Sequence, residues 1–182
     1  NYTYRIRATD LCGNGFISWS DTACAMPADF LAEQTVDVVR STVVDNRFVL
    51  TEWIAPTVRP EKVVQFDLYR STDNVHFTYL ASVPPQQTEY SDPDVNVQSE
   101  NYYYRIQTIN DCNILESPSS STSTIVLDGD MDDTGVHLHW TPYEGWEPGV
   151  EYYVVEKQDE NGNWIRIRQV DGNTTNFDFE ER

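Results

Sequence analysis

The sequence contains few basic residues and almost no lysine. Its 182 residues include 12 Lys and Arg against 30 Asp and Glu, which gives a formal net charge of −18, and Lys62 and Lys157 are the two lysines. Proteins that bind nucleic acid use Lys and Arg to replace the counterions of phosphate groups. The charge therefore argues against a nucleic-acid partner, and solubility, a cation-rich medium or acidic linkers explain it better.

The sequence also lacks an apolar run of transmembrane length and a signal-like start. We therefore expect no direct membrane insertion of these residues. The first residue is not Met, so we expect the chain to be a segment of a longer protein, and the missing targeting signals say nothing about that parent.

Motifs that mark enzymes are missing as well. The sequence has no Gly-x-Ser-x-Gly elbow, no phosphate-binding loop and no His-Glu-x-x-His pair. Ser, His and Asp are present, but no spacing places them in a recognisable catalytic pattern. We predict a non-enzymatic protein with no catalytic residue and no cofactor.

The most informative feature that is present is a strand-like motif that occurs twice. Residues 1–6 read Asn-Tyr-Thr-Tyr-Arg-Ile, and residues 101–106 read Asn-Tyr-Tyr-Tyr-Arg-Ile. Each copy alternates apolar and polar positions, which is typical of a half-buried strand. The offset of 100 residues has the length of a domain, so the repeat predicts a tandem array of modules.

Short strand-like stretches separated by Pro, Asn, Asp and Ser fill the rest of the chain. Seven of them between residues 35 and 127 favour an antiparallel sandwich over alternating strands and helices. We predict the last strands of one module at 1–27, a complete module at 28–127 and the first strands of a further module at 128–182. We expect the missing strands in flanking sequence, and the rival hypothesis is a head-to-tail swap between two chains.

The three cysteines, Cys12, Cys24 and Cys112, include no C-x-x-C pair, so the sequence does not support a zinc site or thioredoxin-like chemistry. Cys12 and Cys24 could close a hairpin by a disulfide, which would indicate an oxidising compartment. Alternatively, they are free buried thiols. In the first copy of the repeat Cys12 is followed by Cys24. In the second copy Cys112 is equivalent to Cys12, but the position equivalent to Cys24 is Thr124. The repeat therefore predicts no partner for Cys112.

The strands resemble those of fibronectin type III domains over nearly the whole chain. The resemblance rests on a second strand that ends in Trp, at Trp53 and Trp140, and on the Tyr-x-Tyr-Arg-Ile motif. It implies an all-β fold of tandem immunoglobulin-like, fibronectin type III sandwiches, one complete and two partial. In that family the first Tyr of the sixth strand forms a tyrosine corner, which maps to Tyr2 and Tyr102. The second strand usually contains Leu-x-Trp, but here two residues separate Leu50 from Trp53. This extra residue suggests a bulge in that strand.

A narrower pattern, Leu138-x-Trp140-x-x-Tyr143-x-x-Trp146-x-x-Gly149, together with residues 4–13, is similar to repeats of gliding-motility-associated surface proteins. Those proteins are exported by the type IX secretion system of Bacteroidota. The resemblance implies a spacer or scaffold segment of a secreted or cell-surface protein outside the outer membrane, of adhesin or gliding-associated type. Its partners would be neighbouring modules and secretion or surface components. The alternatives are a ligand- or glycan-binding adhesion module and an accessory region of a secreted hydrolase.

Two polar clusters are candidates for metal binding. One is a group of carboxylates at a predicted module junction, where oxygen ligands could hold calcium. The group consists of Asp128, Asp130, Asp132 and Asp133. It lacks the EF-hand arrangement, so a solvated acidic linker is the simpler interpretation. The other is His137 and His139, which share a strand face as zinc ligands would, although surface histidines explain them more simply.

Several aromatic residues are harder to place in a core. They are Trp19, Tyr143, Trp146 and Tyr153. Exposed aromatic side chains could stack on a sugar or pack against a neighbouring module, and we favour packing between modules.

Overall fold

The computed structural model describes residues 2–9, 17–25 and 36–180. The ordered elements within these residues are strands, apart from one turn of 3-10 helix at Pro60–Lys62. Every described strand pair is antiparallel. The predicted all-β class is therefore confirmed. Within the described ranges, no helix has the length and apolar character needed to cross a membrane.

The first hairpin consists of β1 (Tyr2–Thr9) and β2 (Ile17–Ala25). Its pairing shifts by one residue at Ile6. The hydroxyl of Ser20 compensates for this irregularity, because it accepts a hydrogen bond from the Ile6 N–H at 2.9 Å and donates one to the next carbonyl. Backbone pairing between β1 and β2 holds the hairpin together. The side chains of residues 3–8 and 17–24 are exposed.

The middle unit, residues 36–126, is a sandwich of seven strands. They are β3 (Asp37–Val44), β4 (Phe48–Ile54), β5 (Val63–Ser71), β6 (Thr78–Val83), β7 (Glu89–Asp92), β8 (Tyr103–Asn110) and β9 (Thr122–Ser123). One sheet has the order β3-β4-β7 and the other the order β6-β5-β8-β9. Consecutive strands β4 and β5 thus lie in different sheets, as in an immunoglobulin-like sandwich.

Alternate residues of the two central strands form the core of the middle unit. Phe66 and Leu68 of β5 and Tyr104 and Ile106 of β8 have no exposed surface. Trp53 of β4 packs edge-on against Phe66 across the sandwich, with ring centroids 5.7 Å apart. Burial of each side chain of this size contributes about 1.5 to 3 kcal/mol, so these strands hold the two sheets together.

The change of spacing before Trp53 does not produce a bulge in β4, so that prediction is wrong. β4 alternates without interruption, and Val49, Thr51 and Trp53 are buried. The irregularity lies on the partner strand, where the pairing skips Val39. Thr51 can face the core because its hydroxyl is hydrogen-bonded to that of Ser41 at 3.0 Å.

The third unit, residues 127–180, has five strands. They are β10 (Leu127–Asp132), β11 (Gly135–Trp140), β12 (Tyr152–Gln158), β13 (Trp164–Asp171) and β14 (Asn176–Phe179). They form a three-stranded sheet of order β10-β11-β14 and a two-stranded sheet of β12 and β13. The described strands therefore fall into groups of two, seven and five, while the domain boundaries at 27 and 127 stay predictions.

The third unit repeats the first five strands of the middle unit at an offset of 87 residues. Trp140 stands 87 residues after Trp53 (140 − 53), and it packs edge-on against Tyr153 at 5.6 Å. The β5–β6 pairing shifts by one residue after Leu68, and the β12–β13 pairing shifts after Val155, which is again 87 residues later. The offset therefore preserves side-chain packing and register as well as sequence.

Candidate functional site at the junction of two sandwiches

The loop at residues 141–149 of the third unit lies against the edge of the middle unit that β3 and β9 form. Trp146 donates its indole N–H to the carbonyl of Val39 at 2.8 Å. The N–H of Ser123 donates to the carbonyl of Glu144 at 2.9 Å, and the N–H of Glu144 donates to the hydroxyl of Ser123 at 2.7 Å. Direct hydrogen bonds, rather than the linker alone, therefore join the two units.

Tyr143 holds the same loop in place. Its hydroxyl accepts a hydrogen bond from the N–H of Ser41 in the middle unit at 3.3 Å. Its own N–H donates to the hydroxyl of Tyr153 in the third unit at 2.9 Å. Burial raises the pKa of the Tyr143 hydroxyl, because the buried site disfavours the charged phenolate.

Gly145 allows the close approach of the loop to β9. Its φ is +117°, a conformation that residues with a side chain rarely adopt, and a Cβ there would lie 2.6 Å from the Thr122 methyl group and 2.8 Å from the Ser121 carbonyl oxygen. Gly149 has a similar φ of +125°, but a Cβ there would have no neighbour within 4 Å. Gly145 is therefore required by contact with the middle unit, whereas Gly149 is required by backbone conformation alone.

An open groove of about 300 Å³ lies beside the junction and is lined by Tyr143 and Trp146 together with residues of β3. The two rings are 4.3 Å apart between centroids, and Trp146 is 47% exposed. The other two predicted aromatic candidates lie elsewhere: Tyr153 packs against Trp140, and Trp19 lies under the guanidinium of Arg5. The four residues do not form one platform.

The Tyr102 hydroxyl accepts a hydrogen bond from the N–H of Asn96, six residues upstream, at 2.8 Å. This is the arrangement that defines a tyrosine corner. The side chain of Tyr2 lies outside the described residues. Trp53 and Trp140 are core residues of their units, and among the described atoms their indole N–H groups have no hydrogen-bond partner.

A buried polar group in the middle unit was missed by sequence reasoning. Asp92 is 1% exposed and accepts hydrogen bonds from the Tyr104 hydroxyl at 2.9 Å and from Arg70 at 2.7 Å. Burial, reinforced by the Asp92 charge, raises the pKa of Tyr104 far above its usual value. An inward-facing Tyr needs a partner for its hydroxyl, but the sequence does not show which residue supplies it.

The predicted calcium ligands Asp128, Asp130 and Asp132 lie along the exposed strand β10, and Asp133 lies in the turn that follows it. Within the ranges that the structure describes, no three His, Cys, Asp or Glu residues are placed to hold a metal ion. Asp132 accepts hydrogen bonds from its own turn, at Thr134. This bonding lowers the pKa of Asp132 and gives the carboxylate a local structural role.

The two histidines of β11 lie beside carboxylates. His137 contacts Asp132 at 3.1 Å and Asp178 at 3.0 Å, and these hydrogen bonds raise the pKa of His137. His139 lies 3.5 Å from Asp128. The two histidines therefore lie beside different carboxylates and do not converge on one site.

A disulfide joins the first hairpin to the middle unit. Cys24 in β2 is bonded to Cys112 in the loop after β8, with Cα atoms 5.5 Å apart. The predicted Cys12–Cys24 bridge is therefore wrong, and so is the prediction that Cys112 has no partner. The repeat pointed to Thr124 within the same unit, whereas the partner of Cys112 comes from the preceding hairpin. Cys12 lies outside the described residues.

No family model matches the sequence. Three solved structures are similar to parts of the chain: a β-1,2-glucanase from Parabacteroides distasonis, the pectate lyase PelI from Erwinia chrysanthemi in complex with tetragalacturonic acid, and the FN1–FN3 domains of chicken CNTN1. Their identities are 17%, 17% and 12%, with TM-scores of 0.42, 0.40 and 0.37. The matches cover 61%, 50% and 82% of this chain but 16%, 28% and 55% of the other chains. The chain thus spans less than two thirds of each, and its fold assignment rests on its own strand order.

Proposed function

We propose that this chain is a non-enzymatic spacer and scaffold segment that holds successive sandwiches at a fixed angle. The observation that carries the proposal is the reciprocal pair of hydrogen bonds between Ser123 and Glu144, next to the Trp146 indole bond to Val39. Domains joined by a linker alone move relative to each other by default. Direct bonding of strand β9 to the loop of the next unit restricts that motion.

The parent that we propose is a large secreted or cell-surface bacterial protein, exported by type IX secretion and adhesin-like or gliding-associated. The Cys24–Cys112 disulfide supports an extracellular location, because disulfides persist in oxidising compartments. In such a protein the partners of this segment are the neighbouring modules, and secretion or outer-membrane surface components contact the array as a whole.

A second candidate function is glycan binding at the groove beside the junction. The observation that favours it is the exposed ring of Trp146 next to Tyr143, which offers a stacking surface for a sugar beside the Arg40 side chain. A glycan array separates the two functions. Saturable binding that disappears in Arg40→Ala, a substitution outside the junction hydrogen bonds, would favour glycan binding over a purely structural role.

The spacer proposal is tested by measuring the distribution of distances between the middle unit and the third unit. Nitroxide labels on introduced keto amino acids at the exposed positions Glu61 and Glu160 leave the native cysteines intact. Pulsed electron paramagnetic resonance then gives the distribution of distances, and dilution with unlabelled chain removes distances between copies. We expect a narrow distribution in the unsubstituted chain.

Two glycine substitutions provide a matched comparison. Gly145→Ala and Gly149→Ala both introduce a side chain at positive φ, but only the first collides with Thr122. We expect the distribution to broaden in Gly145→Ala and to stay narrow in Gly149→Ala. A broad distribution in the unsubstituted chain, or equal widths in the two variants, would contradict a junction that fixes the angle.

A further inference from the structure

The outer side of the four-stranded sheet in the middle unit carries a cation without an anionic partner among the described residues. Arg105 of β8 lies on this outer side, because side chains alternate along a strand and its neighbours Tyr104 and Ile106 are buried in the core. Its guanidinium lies 4.1 Å from the centre of the Phe77 ring and 5.7 Å from that of Tyr69. Arg105 takes part in none of the ion pairs of the described residues, and its buried Nε has no hydrogen-bond acceptor there.

Two other half-buried cations of the middle unit do have carboxylate partners. Arg70 is paired with Asp92 at 2.7 Å, and Lys62 is paired with Asp111 at 2.7 Å. Arg105 differs from them, although the chain contains 30 acidic residues. A charge taken partly out of water without an acceptor is unfavourable, and the cation–π contacts with two rings offset part of that cost. They also fix the plane of the guanidinium, which is therefore preorganised for an acceptor from outside the chain.

The aromatic side chains next to Arg105 are held in place as well. Tyr79 of β6 packs edge-on against Tyr69, with ring centroids 6.0 Å apart. Its hydroxyl is hydrogen-bonded to the Ser82 hydroxyl at 2.8 Å, and Ser82 donates in turn to Asp67. Asp67 is only 7% exposed, whereas Tyr79 is 59% exposed. A partner would therefore meet an ordered ring and little of the Asp67 charge.

These residues have the composition of the central part of a protein interface. We call the surface formed by Tyr69, Phe77, Tyr79 and Arg105 the Arg105 face. Interface centres are enriched in Tyr, Phe and Arg and depleted in Asp and Glu, and the residues that dominate binding energy are often Tyr and Arg. A polar amide, Gln107, lies beside the face on β8, as expected for the polar rim that surrounds such a centre.

Comparison with the third unit indicates that the sandwich fold alone does not require this arrangement. At the offset of 87 residues, Tyr69 corresponds to Glu156 and Tyr79 corresponds to Arg166. Glu156 and Arg166 lie opposite each other on β12 and β13, which is a favourable pairing of opposite charges across strands. The third unit thus builds the same positions from charges of its own, whereas the middle unit places exposed aromatic surface and an unpaired cation there.

We propose that the Arg105 face binds a protein partner that places an Asp or Glu side chain against the guanidinium and apolar surface against the Tyr79 ring. Arg and carboxylate groups form paired, charge-assisted hydrogen bonds, and complementary charge gives an interface its specificity. A sheet face is a broad surface, whereas small-molecule sites are mostly concave, so a protein surface fits it better. The net charge of −18 opposes this pairing only weakly, because salt screens charges beyond about 8 Å. This inference is independent of the spacer function proposed above.

The test uses two peptide probes that differ in one charge, acetyl-Phe-Glu-Gly-amide and acetyl-Phe-Gln-Gly-amide. Each is titrated into the full chain at constant ionic strength, and NMR follows the Arg105 Nε–H and the Tyr79 amide. The Arg105 Nε is buried, which slows exchange of its proton with water and makes it observable. We expect saturable shifts at both groups and tighter binding of the glutamate peptide by about threefold to fivefold.

Three variants separate the Arg105 face from charge in general. We expect Arg105→Gln to remove the preference for the glutamate peptide, and Arg105→Lys to lose most of it, because Lys lacks the planar group. Arg47→Gln is the matched control, since Arg47 is exposed in the turn between β3 and β4, and it should leave the preference unchanged. Unchanged shifts of the Leu68 and Trp53 amides verify that each variant is folded.

Equal affinities of the two peptides, or the absence of shifts at Arg105, would overturn the proposal. A preference that survives Arg105→Gln, or that disappears in Arg47→Gln, would overturn it as well. Sodium glucuronate is the third probe. If it binds at the same two groups more tightly than the glutamate peptide, the face recognises acidic sugars, and the protein partner is wrong.

Discussion

Replacement of Tyr102 by Phe isolates the hydroxyl of the tyrosine corner. The ring is 5% exposed and lies 5.4 Å from the Arg70 guanidinium, and Phe keeps both the apolar packing and this contact. The substitution removes only the acceptor of the Asn96 N–H, which is bonded at 2.8 Å in a partly buried position. A lost hydrogen bond costs about 1 kcal/mol net, and a donor left without a partner adds to that cost. We therefore expect destabilisation of about 1 to 2 kcal/mol.

Urea denaturation followed on backbone amides by NMR gives the free energy of unfolding of the middle unit alone. Tyr90→Phe is the matched control, since its ring is partly buried against the core of the middle unit and its hydroxyl has no hydrogen-bond partner among the described residues. Its effect should stay within about 0.5 kcal/mol. In thermal unfolding the difference corresponds to about 4 to 8 °C for each kcal/mol in a domain of this size. Equal effects of the two substitutions would refute the corner.

Two further predictions concern the disulfide and the histidine of β11. Peptide mapping without reductant should recover a Cys24–Cys112 cross-linked peptide and an alkylated Cys12, and a Cys12–Cys24 peptide would contradict the structure. Because folding raises the pKa of His137, its contribution to the stability of the third unit is complete below the unfolded pKa of about 6.5. That contribution disappears as the pH rises through the higher folded pKa. His137→Asn should therefore remove this part of the pH dependence of unfolding, and an unchanged profile would argue against the ion pairs.

Local patterns in the sequence were sufficient to predict the strands and the class of fold. The alternation around Tyr104 and the recurrence of the Trp53 pattern at Trp140 reflect side-chain positions that each sandwich must bury. The partial modules were predicted on the same basis, because the two repeat offsets place each strand within its sandwich.

Features that depend on contacts between distant parts of the chain could not be predicted in this way. The partner of Cys112 comes from another module, so comparison of equivalent positions within the repeat could not identify it. The irregularity expected in β4 lies on β3 at Val39, because an altered spacing on one strand does not show which strand absorbs the extra residue. Trp146 stood out in the sequence as an aromatic outside the core pattern, but its acceptor, the Val39 carbonyl, is a backbone atom and leaves no signal in the sequence.

The claim that two sandwiches are held in one fixed arrangement is tested most directly by ¹⁵N relaxation. If the junction at Ser123 and Glu144 fixes the angle, amides of residues 36–126 and 127–180 will report one common overall tumbling time. Two different tumbling times, each close to the value for a separate unit, would contradict it.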